Sequence, residues 1–186
     1  SRDIYSSAKD EEGCRNIYAT HLTDSLWSVP TLINEQMTSS SDEIYPMLSP
    51  DGQSLYFASK GLYGMGGYDL YVSNWNSETN DWDMPVNMGF PYSSPYDDFL
   101  FVNTEDGKYS IFASNRECGR DSVTIYVLEY DSMPVRKAVT DVDELRALAS
   151  LNPTRDHSRI VNDAAVPDEG QQNESTKRYM DKMREV

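Results

Sequence analysis

Two pairs of adjacent carboxylates, Asp42-Glu43 and Asp97-Asp98, recur at one fixed spacing in this 186-residue chain. Repeated acids of this kind could form a ring that holds a cation such as Ca²⁺, which takes about six or more oxygen ligands. No Asp-x-Asp-x-Asp-Gly run accompanies them, so polar lining and connector hydrogen bonding is the favoured reading. Copies at equivalent repeat positions are a structural signature before they are an acid–base pair. His21 and His157 are the only histidines, and neither His-Glu-x-x-His nor Cys-x-x-Cys zinc spacing occurs. A Gly-x-Ser-x-Gly nucleophile elbow is also missing. The glycine run from Gly61 to Gly67 invites a phosphate-cradle reading, but a helix must follow such a loop and here a strand pattern follows. It reads instead as a hairpin loop that needs positive φ. These residues predict no enzyme, no catalytic residue, no metal site and no cofactor.

The elements that position the acids are strands. Pro50-Asp51-Gly52 reads as a tight reversal: proline pre-sets the first corner, aspartate bonds back to the backbone, and glycine takes positive φ. Runs rich in aromatic and β-branched residues flank it, and a third strand begins at Asp69, so the unit is an antiparallel meander. It recurs. Asp51-Gly52 returns as Asp106-Gly107, Phe57-Ala58-Ser59 as Phe112-Ala113-Ser114, and Tyr71-Val72 as Tyr126-Val127, all 55 positions apart. Four-stranded repeats of roughly 40–50 residues mark propeller blades. A partial third copy precedes these two, with Ile4-Tyr5-Ser6-Ser7 aligned on Tyr56-Phe57-Ala58-Ser59. Trp27-Ser28-Val29-Pro30 aligns on Trp82-Asp83-Met84-Pro85. Matching positions make Trp27 and Trp82 packing anchors between blades rather than sugar platforms.

The predicted fold class is all-β: a partial β-propeller of about three four-stranded antiparallel blades, the first incomplete, with a short helical C-terminal tail. Residues 1–33 form the partial blade, 42–88 the second and 97–133 the third, and 134–186 are a helical and loop extension. In the extension Thr140 caps a helix with an apolar stripe of Val142, Leu145, Leu148 and Leu151, ended by Asn152-Pro153. Residues 153–173 read as loop, and a last helix spans about 175–186 with Tyr179, Met180, Met183 and Val186 on one side.

Over residues 1–133 the Ser-Pro-Asp-Gly turn, the Leu-Tyr-Phe-Ala-Ser strand, the Gly-rich loop and Tyr-Asp-Leu-Tyr-Val resemble the TolB-like, WD-like β-propeller repeat, also called the Pro-Asp repeat. The third copy departs from it with Thr104-Glu105-Asp106-Gly107 but keeps the Ser114-Asn115-Arg116 run, from which Lys60-Gly61 departs. The resemblance implies a bacterial protein of the periplasm or outer-membrane surroundings, and the chain then reads as the C-terminal part of a larger envelope propeller. The remaining blades would come from a missing N-terminal part. Such a piece should expose blade faces and self-associate, and two copies completing one ring is an alternative.

A net charge of −15 argues against nucleic acid, and no apolar run approaches the ~18–20 residues of a membrane span. Cys14 and Cys118 fall in equivalent loops of the first and third copies, too far apart for an expected disulfide. The function read from the sequence is a non-catalytic interaction or scaffold module of the cell envelope with a protein partner, no nucleic acid and no membrane insertion. The alternative is the accessory propeller of a hydrolase or polysaccharide lyase whose catalytic residues lie elsewhere. The candidate binding face comprises the acids Asp42, Glu43, Asp97 and Asp98 with the loop residues Tyr63, Met65 and Arg116.

Overall fold

Alternating apolar and polar residues between short turns dictate strands, and the computed structural model contains twelve among its described residues, 2–119, 121–130 and 141–151. The first blade holds β1 (Arg2–Lys9), β2 (Arg15–Thr23), β3 (Leu26–Trp27) and β4 (Thr31–Leu32). The second holds β5 (Glu43–Leu48), β6 (Ser54–Ser59), β7 (Asp69–Asn76), β8 (Asp81–Trp82) and β9 (Val86–Asn87). The third holds β10 (Asp98–Asn103), β11 (Tyr109–Ser114) and β12 (Thr124–Glu129). Each blade is a separate antiparallel sheet, with strands paired in chain order and the fourth strand of the first two split into two short pieces. The strands around Phe57 and Phe112 lie in different sheets. The molecule is a partial propeller.

Both turns are built by the same chemistry. In the second blade the Ser49 hydroxyl donates to Asp51 Oδ1 at 2.6 Å, and Gln53 N–H donates to the same oxygen. In the third, Thr104 Oγ1 donates to Asp106 Oδ1 at 2.6 Å, joined by Lys108 N–H. Gly52 and Gly107 close the two turns at φ 73° and 69°. These bonds hold the Asp51 and Asp106 carboxyls below the usual range.

Two expectations are corrected. Pairing of β1 places Ser6 opposite Tyr18, as Phe57 stands opposite Tyr71, so the first blade is shifted one residue from the sequence alignment. A one-residue shift turns every side chain to the other face. Tyr5 therefore points at the second blade, where its ring lies edge-on to Trp82 at 5.7 Å, beside the cluster of Ile17, Met37, Leu55, Phe57 and Tyr71. The second correction concerns the loop from Gly61 to Gly67, whose glycines do not adopt positive φ. They are needed for close approach: a Cβ at Gly66 would overlap the backbone of Ser94, Pro95 and Tyr96 at the start of the next blade.

The chain divides into residues 1–149 and 150–186. The first unit includes α1 (Val142–Ala149). Asp141 caps this helix, accepting from the N–H groups of Asp143 and Glu144 at 3.0 and 2.8 Å. Thr140, the expected loop at 153–173 and the helix near 175–186 lie outside the described residues.

Candidate functional site

The repeated acid pairs stand at the start of β5 in the second blade and β10 in the third, and the two members of each pair have different tasks. Asp42 and Asp97, half-buried, reach back to the preceding blade. Asp42 Oδ1 accepts from Arg15 N–H at 2.8 Å, and Asp97 Oδ1 accepts from Tyr68 N–H at 3.0 Å. Each thereby fixes the first residues of a neighbouring strand. The Arg15 bond, with the Tyr68 hydroxyl and two nearby cations, holds Asp42 below the usual carboxylate range.

Glu43 and Asp98 are fully buried and line no face. Glu43 takes the Ser39 and Ser59 hydroxyls at 2.6 and 2.8 Å together with Ser39 N–H. Asp98 takes the Ser94 hydroxyl at 2.6 Å and the Arg116 guanidinium. Burial pushes both carboxyls up, opposed in Asp98 first by Arg116. Arg116 is not a surface loop residue either: it is buried, and also donates to Pro91 O, Tyr92 O, Ala149 O and Ser114 Oγ. Of the loop residues Tyr63 is fully exposed, while Met65 is half-buried with its N–H on Asp69 Oδ2. Asp69 binds its own loop, as its place at the end of the glycine run implies, accepting from Met65 and Gly66 N–H.

What the sequence reading missed is a groove beside these acids. Ser7, Arg15, Asp42, Ile44, Tyr45, Pro46, Met47, Tyr68 and Phe99 line a space of about 670 Å³. Its position follows from the backbone. Pairing of β5 with β6 slips between Ile44 and Met47, and that of β10 with β11 slips between Phe99 and Val102. Tyr45 and Leu100, 55 positions apart, sit inside these bulges at φ 53° and 60°. Bulges re-aim side chains, and both residues are exposed as a result. Tyr45 and Phe99 lie 5.9 Å apart between ring centres, and Tyr68 stands edge-on to Phe99 at 6.5 Å. Tyr68 donates its hydroxyl to Asp42 Oδ2 at 3.1 Å, with Lys60 Nζ 4.3 Å from its ring centre. Burial, followed by this carboxylate, raises the Tyr68 phenol to about 12, so it stays protonated and donating at neutral pH. The groove offers aromatic side chains beside the charged Arg15 and Asp42. The sequence carried only a partial signal: Phe99 directly after Asp98, and Tyr45 two residues after Glu43.

Cys14 and Cys118 are free thiols. Among the described residues no three His, Cys, Asp or Glu side chains are gathered to hold a metal ion, and no helix is long and apolar enough to cross a membrane.

No family model matches the chain, and no curated protein matches it. Among solved structures it is similar to the crystal structure of TolB from Acinetobacter baumannii, at 13% identity and a TM-score of 0.46, over 69% of this chain and 27% of that one. It is also similar to the structure of a putative TolB from Agrobacterium tumefaciens, at 20% identity and a TM-score of 0.41, over 68% of this chain and 38% of that one. The chain thus spans well under half the length of either structure it matches.

Proposed function

We propose that the chain is a non-catalytic, protein-binding propeller module of the Pro-Asp repeat class, acting in the bacterial periplasm or at the outer membrane. The observation that carries this reading is the groove along the innermost strands. Its Tyr45 sits in the bulge of β5 and its Phe99 directly before the matching bulge of β10, while the carboxylates around it are committed to holding blades together. Amphipathic aromatics beside a few fixed polar groups suit recognition of a protein surface, where rigid aromatic anchors dominate the binding energy. Asp42 and Asp97 already accept backbone N–H groups of the preceding blade, and Glu43 and Asp98 are fully buried. The four repeated acids therefore move from the binding face to its support, and Tyr45, Tyr68, Phe99 and Arg15 take their place.

The test is photo-crosslinking from position 45 in a bacterial envelope extract, followed by affinity measurement with the purified partner. Tyr45→Ala and Phe99→Ala should each weaken binding at least tenfold, with Tyr63→Ala neutral. Hydrolase or lyase activity of a longer polypeptide carrying this chain, lost on changing one groove acid, would overturn the non-catalytic reading.

A further inference from the structure

Arg15 and Tyr68 occupy one place in two successive blades. Arg15 N–H donates to Asp42 of the second blade, as Tyr68 N–H donates to Asp97 of the third. The shared structural task belongs to the backbone, and tyrosine performs it without charge. The fold therefore does not call for a guanidinium at residue 15.

The Arg15 side chain is exposed and lines the groove. Among the described residues no carboxylate stands within ion-pair distance of it, and its one side-chain hydrogen bond is a long contact of 3.4 Å to Ser7 O. A guanidinium carries five N–H donors in a planar fork that matches a carboxylate. Most of that capacity is unused. Its polar neighbours are committed. Asp42 takes Arg15 N–H on Oδ1 and the Tyr68 hydroxyl on Oδ2, and Lys60 and Arg15 oppose its charge. The Ser7 hydroxyl donates to Glu43 O. The groove thus holds out a cationic donor fork beside the rings of Tyr45 and Phe99 and wants an acceptor. Blades bound it on both sides, since Ser7 and Arg15 come from the first and Phe99 from the third. It lies within the described molecule, not on an end face.

Resting on the reading that this groove docks a protein, we propose that its occupant is an acidic segment. An Asp or Glu side chain of the partner sits on Arg15, and an apolar or aromatic residue beside it lies on Tyr45 and Phe99. Arginine and carboxylate form two parallel charge-assisted bonds, stronger than neutral ones and specific in direction. The overall charge of −15 would by itself select basic surfaces. That field is screened beyond about 8 Å at physiological salt, so the guanidinium in contact with the ligand decides the preference.

The probes are acetyl-Gly-Phe-Asp-Gly-amide, its Asn counterpart, and acetyl-Gly-Gly-Phe with a free C-terminal carboxylate. Each is titrated to millimolar concentration into the ¹⁵N-labelled chain and followed by amide chemical shifts. Amides of Arg15, Ile44 and Tyr45 should move, with the Asp peptide bound roughly fivefold tighter than the Asn peptide. Arg15→Gln should abolish that difference. Lys108→Gln, which removes an exposed cation from the third-blade turn, should leave it intact. Equal binding of the Asp and Asn peptides would overturn the proposal, as would a preference that survives Arg15→Gln, or no shift at these residues with any probe. Tighter binding of the free C-terminus than of the Asp peptide would overturn it in favour of a chain terminus. None of these outcomes touches the docking reading itself. That reading fails instead if Tyr45→Ala and Phe99→Ala leave the affinity of the crosslinked partner unchanged.

Discussion

In the second blade Glu43 sinks its carboxyl among hydroxyls from Ser39 and Ser59; in the third, Asp98 sinks its own against Ser94 and the guanidinium of Arg116. The positions are equivalent, but their neighbours are not. Gly61 stands where the third blade has Arg116, and a Cβ there would collide with Ser39. The polar socket at the start of the innermost strand is thus common to both blades, and charge compensation belongs to the third alone. A buried charge left without its partner is strongly destabilising, whereas an intact buried pair contributes little net stability. Arg116→Ala should accordingly cost about 3–5 kcal/mol, measured by urea denaturation. Asp98→Asn added to it should return most of the loss. Glu43→Gln, which keeps a hydrogen-bonding group in a socket without a cation, should cost far less. Equal losses for Arg116→Ala and Glu43→Gln would break the distinction between the blades.

One strand further along, the difference continues. Register sets Glu43, Ser59 and Asp69 in one row of the second blade, and Asp98, Ser114 and Thr124 in the third. Asp69 is almost wholly buried; its Oδ2 takes two backbone N–H groups and its Oδ1 has no partner. Burial raises this carboxyl from 3.8 to about 6, against the pull of the Gly66 and Met65 N–H groups. The folded state therefore holds the proton more tightly than the unfolded one. Below about pH 4 both states are protonated and the full stability is present; it falls as pH rises toward 6 and levels off above. The loss should be roughly 2–3 kcal/mol, since each tenfold change in proton affinity is worth about 1.4 kcal/mol. Glu43, also raised by burial, adds to the same trend. Asp69→Asn should flatten the slope, and Asn16 occupies the corresponding place in the first blade. Denaturation midpoints from pH 4 to 7 check this. An unchanged slope in Asp69→Asn would move the titration to another group.

The features readable in the sequence are those fixed by local chemistry. Ser49 with Asp51 and Thr104 with Asp106 announce the turns because an aspartate two residues on captures the hydroxyl whatever the surroundings. The 55-residue repeat locates the strands by the same logic. Facing is not readable in β1, because nothing local distinguishes Tyr5 from Ser6 as the inward residue; the second blade's Trp82 decides it. Arg116 reads as a loop cation, and its burial depends on Asp98 and three carbonyls up to 33 positions away. Tyr45 and Leu100 give no local sign of positive φ, since glycine is the residue that usually marks it. The groove is hidden from the sequence for that reason. The acids beside it are legible, but their task of holding blades together is not.

The helix α1 sharpens the comparison at its smallest scale. Arg116 Nη1 donates to Ala149 O at 3.2 Å, so a carbonyl from the last residue of α1 completes the arginine's set of acceptors. The Glu43 carboxyl has no such arrangement among its partners, which all come from the second blade and the connector before it. Anchoring α1 at its C-terminal end leaves its N-terminal end dependent on Asp141, which satisfies two of the N–H groups that a helix start leaves unpaired. Asp141→Ala should cost about 1 kcal/mol, the usual value for an N-cap. The coupling between the two ends is the sharper measurement. If α1 contributes to the third blade through Arg116, the Asp141→Ala loss should shrink once Arg116 is replaced, and a double-mutant cycle reads that difference. Strict additivity would show that Ala149 O is dispensable to Arg116, and that the third blade holds its buried pair without help from the helix.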